Sequence, residues 1–320
     1  MGWILASMLA VLVALWIDRR LGEPPVWAHP VVAMGRYLGL IGPLLTQLPA
    51  QLAWLGGVMA WSLGACLVLA LALGAEMAWH WFVSALAWPF WPSVILAGLG
   101  LGVVLKPMLA WRMLHEEVRL VEQALAQSLS AGQARLSRLV SRDVQQLDEV
   151  RVRESAIESL AENLNDSLVA PLFWFALLGL PGAALYRFAN TADAMWGYRG
   201  RYEWAGKWAA KVDDFLSWVP ARLTAMLLCA AAGTWPGLAR MRAQARRTPS
   251  PNGGWPMGTM ALLLGVSLRK PDVYALNEQG RPPEAAHTSV ALATAGKAVG
   301  WVAALVMLMM AQPIMLRWQA

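Results

Sequence analysis

The sequence runs to 320 residues, of which 58% are hydrophobic and only 14% charged; soluble domains carry nearer a quarter charged residues, so this is the composition of a membrane protein. The net charge of +6 does not indicate nucleic acid, because the Lys and Arg residues flank apolar runs and form no dense tract, a distribution that lipid headgroups and the topology rule explain. The two cysteines, Cys66 and Cys229, both lie in apolar stretches, which excludes a disulfide framework and a cysteine zinc site.

In chain order, Gly2–Ile17 is uncharged and short for a crossing, with neither an N-terminal charge nor a small-residue cleavage site. It is expected to stay as a first helix and not to be removed as a signal peptide. Asp18, Arg19 and Arg20 close it, directing its C-terminal end to the cytoplasm. Leu52–Ala75 and Phe82–Leu105 carry no charge, and each would reach roughly 36 Å as a helix, enough to cross a bilayer. The connector Glu76–Trp81 has no Lys or Arg and is expected outside, whereas Lys106–Asp166 holds eight and is expected inside. Ala298–Leu316 is a last uncharged run, with Pro313 near its end.

Between these runs, Lys106–Asn165 reads as helix. Met108, Trp111, Met113, Leu114, Val118, Val121 and Leu125 recur at helical spacing with charges opposite. Ser130-Ala131-Gly132 predicts a break, after which Leu136, Leu139 and Val140 begin a second helix. Arg187–Arg222 and Arg240–Arg281 hold six and seven Lys/Arg, so both are expected inside. The apolar runs Ser167–Tyr186 and Leu223–Ala239 would each flip the chain if they crossed, yet Pro171, Gly179, Pro181, Gly233, Pro236 and Gly237 interrupt them. Broken or re-entrant helices are tolerated where backbone is buried in protein or lines a cavity. If both runs cross fully, the loop between them lies outside. Thr248–Pro256, dense in Pro and Gly, predicts irregular structure.

The expected fold is therefore all-α and polytopic, with about four full spans, broken or re-entrant apolar segments and a cytoplasmic helical region. It is read as one integrated domain over 1–320: N-terminal spans to 105, a cytoplasmic helical segment 106–166, motif-bearing segments 167–295, and a C-terminal span 296–320.

The chemistry is expected near Glu154, Glu158, Glu162 and Asp166, spaced by four and set directly against the uncharged run Ser167–Tyr186. On a helix each four-residue step advances about 40° past a full turn, so neighbours in this row share a face. Carboxylates beside hydrocarbon are expensive unless they meet a cation, a water-filled cavity or a substrate. A solvated helix face is the plainer alternative. The scattered His29, His80, His115 and His287 offer no zinc-ligand spacing, and no Gly-x-x-x-x-Gly-Lys-Ser/Thr is present, which excludes a P-loop.

Six blocks occur in order: Leu21-Gly22-Glu23-Pro24-Pro25 with His29-Pro30 and Gly35-Arg36; Ser141-Arg142-Asp143; Glu158 through Pro171; Asn190-Thr191-Ala192-Asp193 through Tyr198-Arg199; Asp213-Asp214 with Pro220-Ala221-Arg222; and Ser250-Pro251-Asn252 through Pro256. In these the chain resembles, nearly end to end, the CobD/CbiB family of adenosylcobinamide-phosphate synthases in cobalamin biosynthesis. The family's usual Glu-Asn-Thr-Ser-Asp-Gly stands here as Glu162-Asn163-Leu164-Asn165-Asp166-Ser167, and Gly-Arg-Asp-Thr as Ser141-Arg142-Asp143-Val144. Acidic and amide positions remain, while hydroxyl and glycine positions change.

The resemblance implies an ATP-dependent amide ligase joining the carboxylate of a corrinoid, adenosylcobyric acid, to 1-aminopropan-2-yl phosphate or ethanolamine phosphate. Magnesium would assist, and an acyl phosphate would form on the way. It implies a bacterial inner-membrane location with the site facing the cytoplasm, and membrane lipid as surroundings. A homo-oligomer and association with other membrane enzymes of late cobalamin assembly are compatible with it. Glu158, Glu162 and Asp166 would hold magnesium or serve as base, with Asp193 a fourth catalytic carboxylate. Asn163, Asn190, Arg199, Asp213, Asp214, Arg222, Asn252 and Gly253 would bind substrates.

Each of these has a structural alternative. Asn190 or Thr191 could start a helix with Asp193 in its first turn. Asp214 and Arg222 could form a surface ion pair, Arg199 and Arg201 could be positive-inside anchors, and Asn252-Gly253-Gly254 could be a plain turn. Arg246 and Arg247 just before that turn make phosphate binding plausible. Two other classes of function stand beside the ligase. One is a membrane sensor or signalling protein of the same superfamily, AmpE-like, which binds ligand without consuming ATP. The other is a transporter, disfavoured because the halves show no inverted hydropathy.

Overall fold

The structure, a computed structural model, describes residues 1–198 and 200–319, with side chains up to residue 312; Arg199 lies outside the described residues. The helices are α1 Gly2–Leu21, α2 Pro30–Leu45, α3 Ala50–Ala85, α4 Phe90–Leu105, α5 Trp111–Leu125, α6 Leu129–Leu136, α7 Glu149–Leu164, α8 Ala170–Trp196, α9 Lys207–Ala232, α10 Leu238–Ala245, α11 Gly254–Leu264 and α12 Ala285–Gln319. A π-helical turn, Asn165–Val169, follows α7. A short antiparallel hairpin, β1 Leu268–Lys270 and β2 Tyr274–Leu276, precedes α12. The protein is thus all-α apart from this hairpin. Ala50–Ala85, Phe90–Leu125, Glu149–Trp196, Lys207–Ala232 and Ala285–Gln312 are each long and apolar enough to cross a membrane. Of the runs read from sequence as broken, Ser167–Tyr186 lies within Glu149–Trp196, and only the first part of Leu223–Ala239 lies within Lys207–Ala232.

The chain divides into two compact units, one comprising Met1–Ala110, Ala170–Leu216 and Ala303–Ala320, the other Trp111–Val169 and Ser217–Val302.

In the first unit α1 packs on α4 through small residues. Ala6, Ala10 and Ala14 are buried at four-residue spacing, and a Cβ added at Gly98 or Gly102 would lie 2.8 Å from Leu9 or 2.7 Å from Val13. Backbones of membrane helices approach closely where side chains are small. The larger core gathers Leu38, Trp61, Tyr186, Phe188 and Trp196, and the Trp196 indole donates to the Leu38 carbonyl at 3.3 Å. Helix α2 had no counterpart in the sequence reading. Its signal was local: His29 caps it by accepting from Val31 N, and Pro30 sits in the first turn, where a missing N–H costs nothing.

The expected outside connector Glu76–Trp81 is helical, part of α3; the turn falls instead at Leu86–Pro89, where Ala87 has φ 48°. A single carboxylate does not end a helix, whereas a proline disfavours helix at the residue before it. Glu76 has another task. Its carboxylate accepts from Leu180 N at 2.9 Å, where α8 is broken by Gly179 at φ 68°, ψ −157°. The break frees backbone donors, and the carboxylate on α3 satisfies one of them.

In the second unit α7 is enclosed: Glu154 through Ala161 are all buried. The predicted break at Ser130–Gly132 lies within α6 instead, because Ser128 caps that helix by accepting from Ala131 N. The expected helix from Leu136 is likewise absent, since α6 ends at that residue. Gly254–Pro256, expected to be irregular, forms the first turn of α11, a position that tolerates proline.

Candidate active site

The acidic row belongs to the second unit, and it is not a solvated face. Glu154 is fully buried and Glu158 is 5% exposed, while Glu162, Asn163 and Asp166 are half-buried. The hairpin supplies part of the cover. Arg269 Nε donates to Glu154 Oε1 at 3.1 Å, and Ser267 Oγ lies 3.4 Å from the same oxygen, so that oxygen of Glu154 is taken up by structural contacts while Oε2 is buried without a hydrogen bond among the described residues.

Glu158 and Glu162 face a cavity of about 180 Å³ lined by Arg142, Ser155, Ser159, Asn163, Lys270 and Tyr274 among others. Arg142 Nη2 stands 3.6 Å from Glu158 Oε2 and also donates to Ser155 Oγ. Its Nε and Nη1, and Glu158 Oε1, are buried without a hydrogen bond among the described residues. Buried polar atoms are normally paired, so a cluster of free ones in a cavity marks room for something the protein itself does not supply. Tyr274 reaches the cavity from β2, paired across the hairpin with Lys270. Burial, then the neighbouring carboxylates of Glu158 and Glu162, push its phenol well above the usual tyrosine range. It therefore stays a neutral hydroxyl, able to donate a hydrogen bond, at any physiological pH.

A second group adjoins this one. A Cβ added at Gly253 would come within 2.7 Å of Glu162 Oε1, so the start of α11 lies directly against that carboxylate. Asn252, 4% exposed, accepts from Arg222 Nη1 at 3.1 Å through Oδ1. Ser250 Oγ accepts from the amides of Asn252 and Gly253 at 3.2 and 3.3 Å, which fixes the turn. The Arg222 guanidinium is stacked by Trp218, 4.1 Å from its ring centre, and by Trp255, at 4.9 Å. Stacking on indole faces holds the planar fork while leaving its edge for hydrogen bonds. Asn165 links Asp166 to α9: its Nδ2 donates to Asp166 Oδ1 at 2.8 Å and its Oδ1 accepts from Thr224 at 3.1 Å.

The structure thus brings Glu158, Glu162, Asn163, Arg222, Asn252 and Gly253 into one region of the second unit. Asn163 also bonds the Ser159 carbonyl at 2.9 Å. Asn190 and Asp193 lie on α8, and Asp213 and Asp214 on the part of α9 in the first unit. The helix-start alternative for Asn190 and Thr191 fails: both are inside α8, and Thr191 Oγ1 bonds the carbonyl one turn back, at Arg187.

Among the described residues no three His, Cys, Asp or Glu side chains converge to hold a metal. The row drifts about 40° per step and then enters the π-helical turn, so its members point apart. Magnesium, however, is commonly held by one or two carboxylates, with water and phosphate oxygens completing the shell. Glu158, with an unpaired oxygen, and Glu162 fit that smaller role.

Sequence reasoning missed Lys270, Tyr274, Trp218 and Trp255, and quoted Arg142 without assigning it to the site. Only the hairpin had a local signal, the Pro271-Asp272 turn in Lys270-Pro271-Asp272-Val273-Tyr274, where Asp272 has φ 58°.

The family model described as CobD/Cbib protein matches residues 11–307. The chain belongs to the CobD/CbiB family. Its relatives include a probable cobalamin biosynthesis protein CobD of Thermococcus kodakarensis, 37% identical over 95% of this chain and 96% of the relative. The cobalamin biosynthesis protein CobD of Stutzerimonas stutzeri is 38% identical over 92% and 95%, and that of Chromobacterium violaceum 38% over 87% and 86%. No solved structure matches. As a CobD/CbiB protein this chain is a membrane protein of cobalamin biosynthesis, and the CobD names of its relatives point to a biosynthetic enzyme.

Proposed function

We propose that the protein is an ATP-dependent amide ligase that joins an aminoalcohol phosphate to the carboxylate of adenosylcobyric acid, giving adenosylcobinamide phosphate. The observation that carries this reading is the cavity in which the buried Glu158 and the half-buried Glu162 stand beside cations with unused donors, above all Arg142. Such a site can receive both an ammonium and phosphate groups.

In this reading the corrinoid carboxylate attacks the terminal phosphate of ATP, releasing ADP and forming an acyl phosphate. The amine then attacks the acyl carbon and inorganic phosphate leaves. Arg142 and Lys270 would hold phosphate oxygens, and Glu158 would take the proton that the attacking ammonium must lose. The Tyr274 hydroxyl would orient that carboxylate. Arg222, held flat between its two tryptophans, would hold a substrate phosphate or carboxylate together with the Asn252–Gly253 turn. Bound magnesium, held by Glu158 or Glu162, would neutralise phosphate charge. Asp193, Asn190, Asp213 and Asp214 lie in the first unit and are proposed for substrate contacts of their own. The site would face the cytoplasm, where ATP is found and where the Lys/Arg distribution directs these segments.

The test is purified protein with ATP, magnesium, adenosylcobyric acid and either aminopropanol phosphate or ethanolamine phosphate, followed by mass analysis of the corrinoid and measurement of ADP. A corrinoid heavier by one amide-linked aminoalcohol phosphate, with one ADP per product, is expected. Tight corrinoid binding without ADP release would instead favour the sensor reading.

A further inference from the structure

At one end of α3 the first unit carries an open cavity that the proposed chemistry does not use. Its volume is about 490 Å³, and Gln51, Trp54 and Leu55 of α3 line it with Trp204, Lys207 and Lys211. Lys207 and Lys211 are one turn apart at the start of α9, both exposed. Among the described residues neither forms a salt bridge with a carboxylate, and Lys207 lies 4.8 Å above the Trp204 ring. No carboxylate is among the described residues that line the cavity.

The surface running away from it along α3 is apolar. Leu52, Leu55, Met59 and Leu63 are 42% or more exposed, and their three- and four-residue spacing sets them on one face. This stripe starts at the cavity wall, at Leu55, and runs into the uncharged stretch to Ala75. Two cations, two half-exposed indoles and an adjoining hydrocarbon face combine the groups that meet a phosphate, an interfacial zone and an acyl chain, in that order.

We propose that this cavity is a specific site for one anionic phospholipid. Its phosphate sits between Lys207 and Lys211, Trp54 and Trp204 flank the glycerol region, and an acyl chain follows Leu55, Met59 and Leu63. Charge complementarity and the continuous apolar stripe select a lipid over a soluble phosphate, which would gain nothing from the stripe. A zwitterionic lipid would bring its own cation against the two lysines. The inference uses the first unit alone and does not depend on the ligase reading.

The experiment is native mass spectrometry of the full chain released from mixed phosphatidylglycerol and phosphatidylcholine nanodiscs, counting retained lipids. Wild type is expected to retain one phosphatidylglycerol preferentially. Lys207→Gln/Lys211→Gln should weaken that retention by roughly thirtyfold, since each lysine near a membrane surface contributes about 1 kcal/mol toward anionic lipid. Lys207→Arg/Lys211→Arg should keep it, and Arg240→Gln/Arg242→Gln on α10 should not change it. An unchanged phosphatidylglycerol preference in the Gln double variant overturns the proposal. So does displacement of the retained lipid by millimolar glycerol phosphate, which would mark the site as one for a soluble anion. A melting temperature equal to wild type excludes misfolding of the Gln variant; if it falls, retention by the Arg variant decides.

Discussion

In the first unit the ammonium of Lys106 stands 3.3 Å from Asp18 Oδ1 and 2.9 Å from Glu23 Oε2, and donates to the Leu109 carbonyl at 3.3 Å. His29 closes the group against Glu23 at 3.2 Å. In the second unit Arg142 is also largely enclosed, yet two of its nitrogens and one oxygen of its partner Glu158 face a cavity unpaired. Both clusters draw charge out of water. An ammonium has three donors, and in the first cluster it stands against two carboxylates and a carbonyl of the protein itself, although Glu23 Oε1 is buried without a hydrogen bond among the described residues. The second leaves donor and acceptor capacity in reserve. A buried cation held against two carboxylates stabilises a fold, and an unsaturated network around a cavity is suited to receiving a ligand.

The largest effect should come from breaking the Lys106 cluster. Lys106→Met leaves Asp18 and Glu23 without their buried cation, which should cost about 3–5 kcal/mol of stability. Thermal unfolding in detergent measures this, and near-normal stability would remove the contrast between the clusters. In the open cluster the loss should fall on activity instead. Glu162→Gln and Asp166→Asn keep shape while removing charge, and each should lower ligase turnover at least about a hundredfold with little change in unfolding temperature. Normal turnover in both would take the acidic row out of the chemistry.

A smaller effect is expected at Arg222. Lysine there keeps the charge but loses the planar fork stacked between Trp218 and Trp255, so Arg222→Lys should raise KM about tenfold and leave folding nearly intact. A normal KM would confine Arg222 to packing.

The smallest concerns pH. Burial raises the Glu23 pKa, but hydrogen bonds from His29 and Lys106 and their charges outweigh it, so the net shift is downward from 4.5. A folded pKa below the unfolded one means that this stabilisation is complete above the unfolded value and is lost as pH falls through the folded one. Melting temperature should therefore fall as the pH drops below about 4.5, and Glu23→Gln should flatten that acid limb. An unchanged acid limb would show that Glu23 does not contribute to it.

The contrast between the clusters was not legible in sequence. Glu158 and Arg142 are 16 residues apart, and nothing local distinguishes them from Lys106 and Glu23. The row at Glu154–Asp166 could be located because helical spacing and the uncharged run beside it are local properties. Spacing could not tell that Glu154 would meet Arg269 of the hairpin while Glu158 would face a cavity beside Lys270 and Tyr274, because the hairpin arrives from more than a hundred residues away.

The sequence by itself determined the membrane class, the apolar runs, the breaks around Gly179 and Gly233, and the family, since each depends on residues close in the chain or on ordered motifs. Only the tertiary structure decided that Glu76 serves as acceptor for a broken helix, that Arg222 lies between two indoles, and which buried charges are left unpaired. These depend on what packs against a side chain. Burial and pairing are set by neighbours distant in sequence, and a one-dimensional pattern of charge and hydropathy does not contain them.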